Sequence, residues 1–139
     1  MEYLFKKLNY RDQDRICVMN CSNGFMDDVR RYKPGLNIDT SIDAKYLYDF
    51  CIVFVTMRSE VDNFAALTIH NLAEDGILWF VYPKKSSRKY SSELSRDEGW
   101  DSLNNHGFDP VRAVAIDDDW SALRFRNNKY IKRSVKHRS

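Results

Sequence analysis

The stretch YDFCIVFVTMRSEVDNFAALTIHNLAEDGILWFVY, residues 48–82, decides the fold of this chain. Residues 48–55 form a nearly continuous apolar run that is rich in β-branched and aromatic residues, which is typical of a strand covered on both faces. The EDG triplet at 74–76 is expected to turn the chain into a second buried strand, ILWFVY, at 77–82. A strand, a helix and a strand in this order predict a parallel α/β unit.

The helix between these strands is predicted from its apolar stripe. Ser59 is the expected N-cap, and Asp62 would take the N3 position. The residues that share one face are Val61, Phe64, Ala65, Thr68, Ile69 and Leu72. We therefore expect this helix to pack on the sheet.

Weaker patterns extend the sheet toward the N-terminus. RICVMNC at 15–21 has the length of a strand, and LNIDT at 36–40 offers a second short one. A short helix is expected between them, because Phe25, Val29 and Tyr32 recur at helical spacing before KPG stops it.

The C-terminal part predicts one more helix and a hairpin. Ser95 and Glu98 have the spacing of a capping box, and Gly107 stands where a glycine commonly ends a helix. Residues 110–116 and 120–126 read as two strands that flank a polar turn. The predicted fold is α/β: a three-layer Rossmann-like arrangement with a mostly parallel sheet of five or six strands and a C-terminal antiparallel hairpin.

Length and composition favour one domain. The chain has 139 residues, of which 43% are hydrophobic and 30% charged, and this fits a single α/β domain at 1–126. No apolar run is long enough to span a bilayer and no secretory signal is recognisable, so we expect a cytoplasmic protein without a membrane partner. Cys17, Cys21 and Cys51 are expected to be reduced thiols, and the scattered histidines predict no metal site.

The last thirteen residues, 127–139, contain five lysines and arginines and no acidic residue. We expect a mobile basic tail. Short basic ends are commonly only solvated, but such a tail would also suit contact with nucleic acid.

The order of the predicted elements resembles the class I S-adenosylmethionine-dependent methyltransferase fold in shortened form, without one strand-helix unit of the first half. The phrases GILWFVYPKKSS, RDEGWDSL and VRAVAIDDDWSALRFR also look like an uncharacterised family of small bacterial domains of unknown function. The methyltransferase resemblance implies a cofactor loop after the first strand, where Asn20 and Ser22 replace glycines and Gly24 is kept. It also implies that Asp39 would hold a ribose, with S-adenosylmethionine as the cofactor.

A basic, serine-rich segment, KKSSRKY at 84–90, follows the second buried strand. In open α/β sheets ligands bind outside the carboxyl ends of the strands, and this segment lies at that rim. Its side chains would hold a phosphate or carboxylate through charge-assisted hydrogen bonds, the candidates being Lys84, Lys85, Ser86, Ser87 and Arg88. Arg58, Trp120 and Ser121 are expected on the same rim. The simpler alternative is a solvated exit loop.

Three functions stay open at this point. The first is a small non-catalytic Rossmann-like domain that binds an anionic or nucleotide-like ligand or a protein partner at the rim. The second is an S-adenosylmethionine-dependent methyltransferase, and the third is a nucleic-acid-binding accessory protein that uses the basic tail. No catalytic residue is identified, and the triplet at 117–119 is explained more simply by a hairpin turn than by a metal site.

Overall fold

A computed structural model describes residues 1–131. The helices are α1 (Glu2–Lys7), α2 (Asn23–Tyr32), α3 (Arg58–His70) and α4 (Asp101–Asn105). The strands are β1 (Arg15–Met19), β2 (Asn37–Asp39), β3 (Tyr48–Phe54), β4 (Leu72–Pro83), β5 (Phe108–Ala115) and β6 (Trp120–Asn127). A 3-10 turn at Asn128–Tyr130 follows β6, and the rest of the expected basic tail, residues 132–139, lies outside the described residues.

The strands form a six-stranded sheet in the order β2-β1-β3-β4-β6-β5. Strands β2, β1, β3 and β4 pair in parallel, whereas β6 pairs antiparallel with both β4 and β5. The mostly parallel sheet with a C-terminal antiparallel hairpin is therefore confirmed.

Helices cover both faces of the sheet, which gives three layers. One apolar core joins the sheet to α3 and α4, and the other joins it to α1 and α2. Trp79 of β4 is fully buried, and its indole Nε1 donates a hydrogen bond of 2.8 Å to the Leu8 carbonyl after α1. No helix within residues 1–131 is long and apolar enough to cross a membrane.

The first half is shortened as the resemblance implies. Strand β2 has only three residues, and residues 40–47 connect it to β3 without a helix. The sheet therefore ends at β2 on this side.

Helix α3 begins two residues earlier than predicted, so Ser59 is not its N-cap. The N-cap is Met57, whose side chain makes no capping bond. Glu60 reaches back instead, and its Oε1 accepts a hydrogen bond of 2.7 Å from the Thr56 amide. The Glu60 side chain is long enough to reach this amide from within the first turn of the helix. A serine cap is therefore not needed.

The EDG triplet is not a turn between elements but part of β4. The register passes from Tyr48 opposite Leu72 to Phe50 opposite Ile77, so β4 carries extra residues in a bulge. Asp75 takes a left-handed backbone with φ of 51°. A Cβ on Gly76 would lie 2.9 Å from the Tyr48 carbonyl, which explains the glycine.

The capping box at Ser95 and Glu98 does not form, because α4 begins only at Asp101. These two residues are joined through their backbones, from the Ser95 amide to the Glu98 carbonyl. The helix end is as predicted: Gly107 has φ of 79°, a conformation that favours glycine.

Strand β5 is an outer strand and is irregular. Pro110 lies opposite Phe125 and Arg112 lies opposite Arg124, so Val111 is an extra residue in a bulge.

Candidate functional site

The strand order places a crevice at the carboxyl ends of β1 and β3. From β1 the chain goes to β2 on one side and then to β3 on the other, so the order reverses between β1 and β3. Ligands of open α/β sheets bind at this type of switch point. In this protein the crevice lies between Asn20, just after β1, and Phe54, the last residue of β3.

A cleft of about 400 Å³ opens at this place, within the range of small-molecule sites. We call it the switch-point cleft. It is lined by Asn20, Ser22, Phe25, Asp28, Phe54, Lys89, Tyr90, Ile116, Asp117, Asp119 and Trp120.

Aromatic rings form a continuous row in the cleft. The ring of Phe25 lies 4.9 Å from that of Phe54, Phe54 lies 5.5 Å from Trp120, and Trp120 lies 5.1 Å from Tyr90. Phe54 is buried, whereas Tyr90 is 46% exposed. An exposed ring that ends a row of packed rings offers a flat surface for a planar or cationic ligand.

The charged side chains of the cleft are mostly acidic. Asp28, Asp117 and Asp119 are carboxylates, and Lys89 is the one cation among the described lining residues. Asp28 is paired with Arg31, and Asp117 Oδ1 accepts bonds of 2.8 Å from the amides of the β5–β6 turn. The net charge therefore favours a ligand with a positive group over a simple anion.

Asn20 closes the loop after β1. Its backbone is left-handed, with φ of 63°, a conformation that glycine adopts without strain. Its Nδ2 donates bonds of 2.8 Å to the Phe54 carbonyl and to Glu60 Oε2. Burial raises the pKa of Glu60, but hydrogen bonds from Thr56 and Asn20 outweigh burial, and the pKa is lowered. The Asn20 side chain thus ties β1, β3 and α3 together where a bare glycine would leave space.

The other residues of the expected cofactor loop have local roles. Ser22 is the N-cap of α2, and its Oγ accepts a bond of 3.1 Å from the Phe25 amide. Gly24 lies in the first turn of α2 without a left-handed backbone, and a Cβ there would have room. Burial raises the pKa of the Cys21 thiol in this loop, so Cys21 is a poor nucleophile.

Asp39, the expected ribose ligand, ends β2 but is already engaged. Its Oδ1 lies 2.7 Å from an Arg15 guanidinium nitrogen, and its Oδ2 accepts a bond from the Tyr48 hydroxyl. Burial and this carboxylate raise the pKa of Tyr48, so the hydroxyl stays a donor. These bonds favour a structural role for Asp39 at the sheet edge.

The basic segment lies beside the cleft, and Lys89 and Tyr90 are the parts of it that line the cleft. Ser87 Oγ donates a bond of 2.9 Å to Asp119 Oδ1, which fastens the segment to the β5–β6 turn. Within residues 1–131, Lys84, Lys85 and Arg88 form no ion pair; Lys85, Ser86 and Arg88 are exposed and Lys84 is half-buried. The segment is thus ordered by its serine rather than by its charges.

Of the other expected rim residues, only Trp120 lines the cleft. Arg58 lies at the start of α3, with a guanidinium nitrogen 3.8 Å from Glu98. Ser121 is half-buried, and its Oγ lies 3.5 Å from the Val114 carbonyl. No group of His, Cys, Asp or Glu side chains in the described part of the chain could hold a metal ion, and Asp117–Asp119 form the hairpin turn.

Sequence reasoning missed Phe25, Phe54 and Tyr90 as site residues. The sequence already explained each of them, Phe25 by a helix face, Phe54 by a buried strand and Tyr90 by the basic segment. Only the fold brings the three rings together. The position of Phe54 at the carboxyl end of a buried strand was the one signal available.

Comparison with known proteins relates this chain to others through its fold and not through its sequence. No protein-family model matches it, and no curated protein matches it, so its resemblance to the uncharacterised family of small domains stays a prediction. Similar solved structures include a S-adenosylmethionine-dependent methyltransferase from Aquifex aeolicus, with a TM-score of 0.63 and 13% identity over 91% of this chain and 88% of that one. The N-methyltransferase NodS from Bradyrhizobium japonicum WM9, solved with S-adenosyl-L-homocysteine, has a TM-score of 0.59 and 14% identity over 91% of this chain and 84% of that one.

A glycopeptide N-methyltransferase, MtfA, is similar over 89% of this chain and 92% of that one, with a TM-score of 0.52 and 7% identity. At these identities the comparison establishes architecture alone. The chain has the fold of class I S-adenosylmethionine-dependent methyltransferases in a shortened form.

Proposed function

We propose that the protein binds S-adenosylmethionine in the switch-point cleft and acts as a small methyltransferase. The observation that carries this proposal is the aromatic row beside carboxylates at the switch point. The fold of the structural neighbours supports it more than it supports a non-catalytic domain.

The chemistry of the ligand matches the cleft. S-adenosylmethionine has a planar adenine, a cationic sulfonium and a cationic amine. Aromatic faces attract cations and stack on bases, and the exposed ring of Tyr90 beside Trp120 is available for either contact. Asp119 adds negative charge nearby. The bound cofactor would supply an activated methyl group for transfer to an acceptor.

The fit differs from a glycine-loop site. The side chains of Asn20 and Asp39 form hydrogen bonds within the protein. We therefore do not assign them the loop and ribose contacts that the resemblance implies. We expect the ligand to be held mainly by the aromatic row and the β5–β6 turn.

Isothermal calorimetry at low salt tests this proposal. We expect saturable micromolar binding of S-adenosylmethionine, about -8 kcal/mol. S-adenosylhomocysteine, which lacks the sulfonium charge, should bind more weakly if cation–π contact contributes. Absence of binding for both compounds, in calorimetry and in equilibrium dialysis, would refute the function.

Two variants locate the ligand. Tyr90→Ala removes an exposed ring with little effect on folding and should weaken binding about fivefold, the equivalent of about 1 kcal/mol. Tyr3→Ala is the matched control, because Tyr3 is also an exposed tyrosine, at 75%, and lies outside the cleft. If both variants bind as well as the wild type, the function stands but the cleft is the wrong place.

A second candidate is an anionic ligand or protein partner at the basic segment. The observation that favours it is that Lys84, Lys85 and Arg88 form no ion pair within residues 1–131. The double variant Lys84→Ala, Lys85→Ala should then lose affinity for the anion or partner, whereas Lys6→Ala, Lys7→Ala should keep it. S-adenosylmethionine binding that is unchanged in both separates this site from the cleft.

A further inference from the structure

Arginines gather on the sheet face that carries α1, away from the switch-point cleft. Arg124 of β6 lies directly opposite Arg112 of β5 on one side and Trp79 of β4 on the other. Arg126 lies two residues further along β6 and so shares this face. Arg124 is four residues from Trp120, or about 13 Å along the strand, so the two places are separate.

One of these arginines is neutralised within the fold. Arg126 forms two bonds with Asp75, from Nε at 2.8 Å and from a terminal nitrogen at 2.7 Å. This paired geometry occupies both oxygens of Asp75. The Asp75 carboxylate is therefore already committed to Arg126.

The remaining guanidinium groups have no acidic partner within residues 1–131. Arg112 donates a bond of 2.6 Å to the neutral Asn9 Oδ1. Arg124 is half-buried, and its Nε is shielded from solvent and has no hydrogen-bond partner among the described residues. Burial and the charges of Arg126, Arg11 and Arg112 lower the pKa of Arg124, and Asp75 is the one group that opposes this.

Such an arrangement is unfavourable without a ligand. Like charges directly opposite on neighbouring strands repel, and a buried donor without a partner costs about 1–3 kcal/mol. A solvated patch would keep its donors in water, but the Nε of Arg124 is not in water. An oxyanion with several oxygens would bind the terminal guanidinium nitrogens of these side chains and offset the repulsion between Arg112 and Arg124.

We propose that Arg11, Arg112 and Arg124 form a binding site for the phosphate group of a small ligand. The site is compact, since Arg112 and Arg124 lie opposite each other on neighbouring strands and Arg112 reaches Asn9, two residues before Arg11 in the segment after α1. A single phosphate fits this better than an extended polyanion, which needs a row of exposed cations. The site adds a ligand beyond the proposed methyl donor.

The test is a stability measurement in phosphate and in chloride at equal ionic strength. Inorganic phosphate should raise the unfolding temperature of the wild type in a saturable way. Arg124→Met keeps an unbranched apolar stem and removes the charge and the buried Nε donor, so this variant should be at least as stable as the wild type in chloride and should lose the phosphate response. Titration should give a dissociation constant for phosphate that is raised about tenfold or more.

Further variants keep the test decisive. Arg112→Gln changes an exposed side chain and should also weaken the phosphate response. This second variant keeps the test valid if Arg124→Met proves to fold poorly. Arg96→Met, an exposed arginine of another loop, is the matched control and should respond as the wild type does. A wild type that phosphate stabilises no more than chloride does, or an Arg124→Met protein with an unchanged response, would overturn the proposal. It would equally be overturned by a single-stranded oligonucleotide that binds through Arg124 while free phosphate does not.

Discussion

Glu60→Gln tests whether the carboxylate at the start of α3 stabilises the fold by holding Asn20 and Thr56, beside the switch-point cleft. Glu60 Oε1 accepts bonds from the Thr56 amide at 2.7 Å and hydroxyl at 3.1 Å, and Oε2 accepts one from Asn20 at 2.8 Å. A glutamine oxygen can keep the two bonds from Thr56, but its amide would face the Asn20 amide, donor against donor. One bond is lost and two lose the help of a charge, so we expect a cost of about 2 kcal/mol.

Urea unfolding at pH 7 measures this cost. With a slope of about 2 kcal/mol per molar urea, the midpoint should fall by about 1 M. Glu98→Gln is the control, because this glutamate is exposed and lies 3.8 Å from Arg58; it should change stability by less than about 0.5 kcal/mol.

The pH dependence gives a second check. Because the folded pKa of Glu60 is lowered, its stabilisation is complete above the unfolded pKa, about 4.3, and is lost as the pH falls through the folded value. The difference between wild type and Glu60→Gln should therefore be greatest at neutral pH and shrink below about pH 4.

A double-mutant cycle with Asn20→Gly isolates the shared bond. Glycine suits the left-handed backbone, so this change removes the side-chain bonds without adding strain. The two changes together should cost less than the sum of the single costs. Additive costs, or a midpoint that does not move in Glu60→Gln, would refute the argument.

Three other tests follow from the backbone conformations and the charges. Gly107→Ala should cost about 1–2 kcal/mol from its left-handed backbone, and Gly99→Ala should cost more, because its new Cβ would also collide with the Leu94 side chain; thermal unfolding compares the two. The bond with Arg126 lowers the pKa of Asp75, so Asp75→Asn should destabilise at pH 7 and the difference should vanish as the pH falls through that lowered pKa, measured by urea titration. If the basic tail binds nucleic acid, deleting the last eight residues should weaken binding and flatten its salt dependence in a fluorescence titration; unchanged affinity would exclude this role.

Much of the architecture could be predicted from long apolar runs. The apolar runs at 48–55 and 77–82 predict inner strands of a sheet whose two faces are both covered by helices. These strands are β3 and the inner part of β4. The first residues of the helices were harder to predict. The side chains of Ser59 and Glu60 are both able to accept a hydrogen bond from a free backbone amide at the start of α3, and only the geometry selects Glu60.

The candidate site was only partly predictable. The rim and Trp120 followed from the strand order, but Tyr90 reaches the cleft because Ser87 bonds to Asp119, a residue 32 positions away. Asp39 lies at the end of β2 as expected. Its carboxylate, however, bonds to Arg15 and Tyr48, which belong to other strands. Such pairings between distant residues cannot be read from local patterns.

The two outer strands bear on how the protein behaves when it is concentrated. An open sheet invites further strands, and long flat edges seed aggregation. Here Pro110 removes an amide donor from β5, and the extra residue Val111 distorts the ladder beside it. The opposite edge, β2, offers only three residues. Neither edge gives an incoming chain a regular template, so we expect concentrated solutions to resist fibril growth by edge-to-edge addition, and replacing Pro110 to weaken that protection.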